Sequence, residues 1–226
     1  MASVDVFVFL DDCQMPLGRS YVSRVLVRGC NGGAWLTVPV RRSRGDRIDA
    51  VLFADSRWPK QHVTALQKTY GRCPYFEAVM DAVKPIYDDP GEFLAPFNRR
   101  LILALAAYLG ITPEFRVAST LKSGNTGTRR LVDIVLLTGG TVYVSGAGGS
   151  SYQDPSVFAF HGIDLDVRIY QALCYPQRHG DFFPGLSALD ALFHLGKNTR
   201  QLLKYPPCPD SEISPDASAE SLSLSP

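Results

Sequence analysis

The sequence predicts an α/β protein with one compact domain, and an α+β arrangement is the alternative. An apolar run over Val4–Leu10, rich in β-branched and aromatic residues, is typical of a strand that is buried on both faces. Apolar residues recur at helical spacing across residues 59–109, and a strand–helix–strand pattern follows over residues 115–145. With 226 residues the chain is long enough to bury a sizeable core. We therefore expect a mixed sheet with central helices in a domain that spans residues 1–205.

A β-hairpin is predicted after the first strand. The runs Tyr21–Arg28 and Ala34–Val40 are strand-like, and they flank a turn of glycine and asparagine at residues 29–33. The segment Arg47–Phe53 is predicted as a further strand. The first quarter of the chain is therefore expected to be mainly β-structure.

Three helices are predicted in the middle of the chain. Val63, Leu66 and Tyr70 recur at helical spacing, which places one apolar face on the first of these helices. The same period continues over residues 74–86 and 92–109. These helices are expected to cover the sheet.

A βαβ unit is predicted next. The short strands Phe115–Ala118 and Thr141–Ser145 lie on either side of a helix over Arg129–Thr138, so parallel pairing is expected. A glycine-rich loop, a helix and a strand then follow in that order, at Ser145–Ser151, Pro155–His161 and Asp164–Tyr170.

The domain is expected to end with a helix followed by a disordered tail. Ser187 with Asp190 approximates a capping box that opens this helix, and Gly196 is expected to interrupt it. After Tyr205 the chain has five prolines, many serines and few large apolar side chains. Such a composition cannot repay the entropy of ordering, so residues 206–226 are predicted to be disordered.

Composition argues against several classes of protein. Lys and Arg number 23 against 22 Asp and Glu, so there is no overall positive field to hold nucleic acid. No apolar run approaches the roughly 20 residues of a membrane span, so no membrane insertion is expected. The N-terminus lacks a basic region, which argues against a signal peptide. Five cysteines at wide spacing, without a C-x-x-C pair, predict neither disulfides nor a metal site and favour the cytoplasm.

Two carboxylates, Asp11 and Asp12, follow the first predicted strand, where α/β folds commonly bind ligands. With Gln14 and Arg24 they are candidates to orient polar groups of a small-molecule substrate, and either carboxylate is a candidate base. The alternative is that they cap a turn and pair with arginine. Cys13 is a candidate nucleophile only if a nearby base or positive dipole lowers its pKa.

A histidine and a tryptophan form a second candidate pair. Trp58 and His62 are one turn apart at the start of the first predicted helix, so the imidazole could lie beside an aromatic wall. Histidine is the usual general base near neutral pH, which makes His62 a candidate catalytic residue. The alternative is a surface histidine at a helix N-terminus.

The loop Ser145–Ser151 offers flexible backbone amides that could bind a phosphate or an oxyanion. It lacks the Lys-Ser/Thr end of a P-loop and the spacing of a dinucleotide fingerprint, so no cofactor is identified and a plain glycine turn is the alternative. Tyr175 and Gln177 lie near His179 and Asp181, but these residue types are too common for a catalytic triad to be inferred.

Taken in order, these segments resemble the WbqC-like protein family, a bacterial group often associated with O-antigen and other surface-polysaccharide gene clusters. The stretch DVFVFLDDCQ at residues 5–14 is similar to a family strand that ends in Leu-Asp-Asp-x-Gln. Residues 21–24 resemble an aromatic-x-Asn-Arg segment, although Ser23 departs from the usual asparagine. Further matches with similar spacing are Trp35–Val40, Trp58 with His62, and Tyr70 ahead of residues 74–76.

The second half of the chain resembles the same family. The matching segments are residues 128–131, 143–146 with Gly149 and Tyr152, 175–177 and 182–192. The resemblance covers nearly all of residues 4–203. It adds six substrate-binding candidates, namely Arg130, Ser145, Gly146, Tyr152, Tyr175 and Gln177, and it implies transfer or modification of a small group on a sugar or metabolite.

One family segment is absent from this sequence. Members usually begin with a His-Gln-Pro-x-Tyr-Leu-Pro-Trp segment that precedes the strand matched here by residues 5–10, and this chain starts after it. The resemblance therefore implies that Met1 is an internal methionine. The apolar strand Val4–Leu10 leads to the same expectation, because nothing before it provides cover for both of its faces.

The sequence thus predicts a small-molecule-modifying enzyme, namely a group transferase in polysaccharide or specialised-metabolite biosynthesis. Asp11, Asp12 and His62 are its predicted catalytic residues. The predicted substrate-binding residues are Gln14, Arg24, Trp58, Arg130, Ser145, Gly146, Tyr152, Tyr175 and Gln177. The alternative is a non-catalytic binding or scaffold protein that recruits a partner biosynthetic enzyme. The two differ in whether the candidate residues converge on one concave pocket.

Overall fold

The computed structural model describes residues 1–18, 20–29, 32–149, 151–178 and 180–203. Helices and short strands form one compact domain in this part of the chain, which confirms the predicted α/β class. The strands are β1 (Val6–Phe9), β2 (Arg24–Gly29), β3 (Gly32–Thr37), β4 (Val40–Arg41), β5 (Leu52–Phe53), β6 (Glu114–Val117), β7 (Val142–Gly146) and β8 (Asp164–Arg168). The helices are α1 (Trp58–Tyr70), α2 (Phe76–Asp88), α3 (Leu94–Tyr108), α4 (Gly127–Leu137), α5 (Pro155–Phe160) and α6 (Ala188–Leu195). The predicted tail, residues 206–226, lies outside the described residues.

The strands pair two by two. β1 pairs with β6 and β7 with β8, both in parallel, whereas β2 pairs with β3 and β4 with β5 in antiparallel fashion. The β2–β3 pair confirms the predicted hairpin. The predicted pairing of β6 with β7 across α4 is wrong for the described strands, because each takes another strand as its parallel partner.

The larger of two apolar clusters lies among α1, α2, α3, α6 and the β2–β3 hairpin. Its fully buried large side chains include Trp58, Tyr70, Phe76, Phe97 and Phe193. A smaller cluster joins α4 and α5 to the start of β8 through Val132, Val135, Phe158 and Ile163, the residue before β8. Burying one large apolar side chain contributes about 1.5–3 kcal/mol to the free energy of unfolding. The larger cluster, which includes the three helices predicted from apolar spacing, therefore makes the larger apolar contribution.

The segment predicted as a strand over Arg47–Phe53 is mostly a turn. Residues Ile48–Ala50 form a short 3-10 helix, Arg47 makes an isolated antiparallel bridge with Gln14, and Leu52–Phe53 is the part that forms a strand. The backbone N–H of Ile48 donates to the carbonyl of Cys13 at 2.9 Å, and that of Asp49 donates to the carbonyl of Asp11 at 2.8 Å. These bonds to the loop after β1 take the place of a strand ladder and fix that loop.

The last helix begins and ends where the sequence indicates. The side chain of Ser187 caps α6 by accepting from the backbone N–H of Leu189 at 3.4 Å. Gly196 ends the helix at a positive φ of 57°, and a Cβ there would approach the ring of Tyr75 to 2.5 Å. Asp190 does not complete a capping box in the first turn, because its carboxylate is fully buried and binds other side chains.

The first strand differs from its prediction in an informative way. Each residue of β1 is half-buried rather than buried on both faces, and Leu10 is 36 % exposed. β6 covers one edge of the strand, while the residues of β1 also form a wall of a large cavity. The strand has the composition of a central strand, but among the described strands it is hydrogen-bonded to β6 alone.

Candidate functional site

The ends of β1 and β6 bring a carboxylate and a serine together. Asp11 follows β1, and Ser119 lies in the short 3-10 turn Ala118–Thr120 that follows β6. The carboxylate oxygens of Asp11 accept from the backbone N–H of Ser119 at 2.9 Å and from its hydroxyl at 2.7 Å. Two donors therefore hold Asp11 in one orientation at the carboxyl end of a parallel strand pair, where α/β folds bind ligands.

Asp12 and Arg130 form an ion pair beside this carboxylate. Arg130 lies in the first turn of α4, and its Nη2 is 2.5 Å from both carboxylate oxygens of Asp12. The two side chains are only 18 % and 15 % exposed, so water screens the pair weakly. Asp12 raises the pKa of Arg130 through this hydrogen bond, and the guanidinium remains charged.

Cys13 lies next to the ion pair but lacks the environment of a nucleophile. Its Sγ is 4.0 Å from Nη1 of Arg130. Burial raises the pKa of the Cys13 thiol, and this effect exceeds the opposing effect of Arg130. Since the thiolate is the reactive form, Cys13 is predominantly unreactive at neutral pH.

The glycine-rich loop begins where β7 ends. Ser145 is buried, and its hydroxyl donates to the carbonyl of Gly146 at 3.1 Å. Gly149 packs so closely on the loop that a Cβ there would lie 2.3 Å from Oγ of Ser145, so any other residue would require the Ser145 and Gln153 side chains to move. The hydroxyl of Thr128 in α4 donates to the carbonyl of Tyr152 at 3.3 Å. The loop is thus tied to the helix that carries Arg130, while the Tyr152 side chain lies mainly in solvent at 67 % exposure.

A cavity of about 1590 Å³ extends from these loops into the protein. Five candidate residues line it, namely Asp11, Arg24, His62, Ser145 and Gly146. Seven do not, namely Asp12, Gln14, Trp58, Arg130, Tyr152, Tyr175 and Gln177. The candidate residues therefore converge only in part. Asp12 and Arg130 do not line the cavity but adjoin Asp11, which does, through the sequence and their ion pair. Gln14 is exposed and does not line the cavity.

His62 is buried and bonded, so the alternative of a surface histidine is wrong. Its Nε2 donates to the carbonyl of Thr37 at 3.1 Å, and its ring centre is 5.0 Å from that of Trp58. Burial lowers the pKa of His62, so the ring is neutral at pH 7. Trp58 is itself 2 % exposed and packs on Phe97, which makes it the aromatic wall that the sequence indicated.

We expect His62 to make stability fall on acidification. Its unfolded pKa is about 6.5 and its folded pKa is lower, so the unfolded state takes up a proton first as the pH falls. The contribution of His62 to the free energy of unfolding is complete above about pH 6.5, and it is lost as the pH falls towards the lowered pKa of the folded state. Urea unfolding of the wild type and of His62→Gln at pH 7.5 and 5.5 should show a smaller loss in the variant. An equal loss in both proteins would contradict this assignment.

Arg24 reaches the cavity from the hairpin. Its guanidinium carbon is 4.0 Å from the centre of the Trp35 ring, a cation–π contact. Its Nε is buried and has no hydrogen-bond partner among the described residues. Arg24 therefore places a positive charge at the cavity wall, and its Nε–H is able to donate a further hydrogen bond.

Tyr175 and Gln177 lie in a separate polar network. The Tyr175 hydroxyl and Nε2 of Gln177 donate to Oδ2 of Asp190 at 2.7 and 3.1 Å. His194 joins through Nδ1, which donates to the carbonyl of Asp190 at 2.7 Å, and through Nε2, which accepts from the backbone N–H of Arg178 at 2.9 Å. Burial raises the pKa of Tyr175, so the hydroxyl stays a donor. The network fastens the segment before α6; His179 of that segment is outside the described residues.

Two further observations concern metals and membranes. Among the described residues, no three His, Cys, Asp or Glu side chains gather in a group that could hold a metal ion. No helix in the same ranges has the length and apolar content needed to cross a membrane.

Ser119 is the member of the site that sequence reasoning missed. Its only signal is a hydroxyl residue at the second position after a strand that pairs with β1. Ser119 could have been assigned to the site once β6 was known to pair with β1, because the ends of paired parallel strands lie side by side.

Comparison with known proteins identifies the family. The model of the WbqC-like protein family matches residues 1–202. The uncharacterized protein Rv1507c of Mycobacterium tuberculosis (strain ATCC 25618 / H37Rv) is 32 % identical over 213 residues, which cover 91 % of this chain and 90 % of the relative. No solved structure matches the chain. The chain belongs to the WbqC-like protein family.

Proposed function

We propose that this protein is a small-molecule-modifying enzyme, a cytoplasmic group transferase that acts on a sugar or metabolite intermediate in polysaccharide or specialised-metabolite biosynthesis. The observation that supports the proposal is the meeting of Asp11, Ser119 and the Asp12–Arg130 pair at the carboxyl ends of β1 and β6, beside a large cavity. Carboxylates with fixed orientation at this edge are suited to binding hydroxyl or amino groups of a substrate.

The first role is that of Asp11. Both of its oxygens already accept from Ser119, and each carboxylate oxygen has a second lone pair for a substrate donor. A hydroxyl or amine bound there would be held by a charged acceptor, and its proton would have a base within reach. Among the described ion pairs, Arg130 pairs with Asp12 and not with Asp11.

The roles of His62 and of the loop after β7 follow from their positions on the cavity wall. The neutral imidazole, with Nε2–H given to Thr37, leaves Nδ1 as its basic nitrogen. Gly146 and Gly148 are exposed and carry no side chain, so the backbone of the loop is accessible to an anionic portion of the substrate. Arg24 also lines the cavity and supplies positive charge there, and its Nε has no hydrogen-bond partner among the described residues.

The experiment is a thermal-shift screen of the full chain with sugar nucleotides, acyl donors and amino acids. A ligand that binds only the folded state raises the melting temperature by mass action, with about 2.7 kcal/mol gained at 100 times Kd. We expect one class to stabilise the wild type and to stabilise Asp11→Asn much less. Failure of every class to shift the melting temperature would count against a small-molecule site.

The second candidate is a non-catalytic protein that recruits a biosynthetic enzyme. It is favoured by the apolar surface at and after the end of β8, where Ile169 and Leu173 are 65 % and 46 % exposed. Under this alternative the screen gives no ligand, and Ile169→Lys abolishes co-purification with a sugar-modifying enzyme encoded in the same gene cluster.

A further inference from the structure

Two parallel strand pairs turn open edges towards the same cavity. Among the described strands, β1 is hydrogen-bonded to β6 alone and β7 to β8 alone. Every residue of β1 and every residue of β7 lines the cavity of about 1590 Å³, whereas no described residue of β6 does. Because successive side chains of a strand point to opposite faces, a cavity that touches all of them reaches the strand at its edge. Free backbone N–H and C=O groups of two strands therefore border one space, and such groups need hydrogen-bond partners.

The walls between these edges are apolar. Leu131, Ile134 and Val135 of α4 line the cavity, and so do Leu101 and Ile102 of α3. The residues of β1 are apolar and half-buried, and they belong to neither apolar cluster of the described residues. These walls and edges together suit an extended ligand that is apolar along most of its length and carries hydrogen-bonding groups at intervals.

Positive charge exceeds negative charge on the lining. Among the described lining residues there are three arginines, Arg24, Arg99 and Arg168, against two aspartates, Asp5 and Asp11. The buried Nε of Arg24 has no hydrogen-bond partner among the described residues, so it is able to donate to a ligand. Because guanidinium groups bind phosphate well, the lining favours a ligand with a phosphate at one end.

We propose that the cavity binds the phosphopantetheine arm of an acyl carrier, with the arm lying along the open edges of β1 and β7. The arm is a narrow chain with two amide groups, methylene carbons between them and a phosphate at one end. Its amides would pair with the free backbone groups, and its carbons would contact the apolar walls. The five residues of β7 span about 16 Å, a length that accommodates an extended chain. Coenzyme A and acyl carrier proteins share this arm, so the arm is the chemistry that the cavity recognises.

This inference rests on the proposed function, because the acyl group on the arm would be the group that the enzyme transfers. The carbonyl carbon gains a bond to the oxygen or nitrogen of the acceptor and loses its bond to the pantetheine sulfur. The acceptor proton passes by way of Asp11 to the thiolate. The cavity exceeds the roughly 300–1,000 Å³ of ordinary small-molecule pockets, so it has room for the arm and the acceptor together.

The test is hydrogen exchange of the full chain with coenzyme A, with free phosphopantetheine and with a holo acyl carrier protein. ADP is the matched control ligand, because it shares the adenosine diphosphate portion of coenzyme A and lacks the arm. At about 100 times Kd, an arm-bearing probe should slow exchange at the β1 and β7 amides at least about tenfold, and ADP should not. Exchange in α5, of which no described residue lines the cavity, should stay unchanged.

A cavity-filling substitution tests the position of the arm. Ile102→Phe adds volume at the α3 wall, and Ile102 belongs to neither apolar cluster of the described residues. We expect this variant to raise Kd for the bound arm-bearing probe at least about tenfold. Leu137→Phe is the matched control, because Leu137 is 53 % exposed on α4 and does not line the cavity. If Ile102→Phe does not fold, Val8→Phe adds the volume from the β1 wall instead.

Equal exchange at β1 and β7 with and without every arm-bearing probe would overturn the proposal, and so would an unchanged Kd in the cavity-filling variant. A sugar nucleotide or an amino acid that binds the wild type but not Asp11→Asn, while no arm-bearing probe binds, would overturn this inference and leave the proposed function standing. Binding of the holo carrier protein without binding of coenzyme A would support the proposal and identify a carrier protein as the source of the arm.

Discussion

Replacing Asp190 by alanine is expected to lower the free energy of unfolding by about 3–5 kcal/mol, because it removes two buried hydrogen bonds to a carboxylate at about 1.5–3 kcal/mol each. Asp190 is fully buried, and its Oδ2 accepts from Tyr175 and Gln177. The substitution leaves the Tyr175 hydroxyl without its carboxylate acceptor and leaves Nε2 of Gln177 with the carbonyl of Phe183, so it weakens the attachment of the preceding segment to α6. Chemical denaturation of the purified variant, monitored by circular dichroism, measures the loss.

Tyr175→Phe is the matched control for this prediction. It removes only the hydroxyl that donates to Asp190 at 2.7 Å and keeps the ring that packs on Phe182. We expect a loss of about 1.5–3 kcal/mol, the range for one hydrogen bond to a charged group. If Asp190→Ala cost no more than Tyr175→Phe, the network would not hold this part of the fold.

The second large effect is expected for the Asp12–Arg130 pair. Arg130→Ala leaves the carboxylate of Asp12, 15 % exposed, without its counter-ion, and it removes the contact between α4 and the loop that carries Asp11 and Asp12. We expect unfolding to become easier by about 2–4 kcal/mol and the binding of any ligand found by the screen to weaken at least about tenfold. A double-mutant cycle of Asp12→Ala and Arg130→Ala separates the pair from the individual residues.

An exposed pair in the same chain provides the control. Arg57 and Asp55 are also 2.5 Å apart, but the Arg57 side chain is 80 % exposed. Water screens that pair, so its coupling should be far smaller than that of Asp12 with Arg130. Equal coupling in the two cycles would show that partial burial of the Asp12–Arg130 pair has no energetic consequence.

The sequence was sufficient for elements whose signal is local. Apolar residues at helical spacing predicted α1, α2 and α3, and the glycine–asparagine turn predicted the β2–β3 hairpin. The partners of the short parallel strands were not predictable in this way, since β1 and β6 are more than 100 positions apart. The 3-10 turn at Ile48–Ala50 was missed for the same reason, because its N–H groups bind a loop more than 30 positions earlier.

The sequence indicates which residue types form the candidate site, but it does not indicate which distant residues contact one another there. The position of Asp11 and Asp12 after an apolar strand indicated a polar edge of the sheet. Pairing of these carboxylates with an arginine is the alternative role, and Asp12 makes such a pair. That the arginine is Arg130 depends on a contact over 118 positions. Tyr175 and Gln177, grouped with the site by family resemblance, bind Asp190 instead, and no local pattern marks Asp190 as the centre of a buried network.

Isothermal titration calorimetry tests the small-molecule site most directly. The best ligand from the thermal-shift screen is titrated into the wild type, into Asp11→Asn, and into Asp55→Asn, which changes a carboxylate that does not line the cavity. We expect Asp11→Asn to raise Kd at least about tenfold, the equivalent of one hydrogen bond to a charged acceptor. Asp55→Asn should leave Kd unchanged. An unchanged Kd in Asp11→Asn, with the ligand still bound, would contradict a binding site at the ends of β1 and β6.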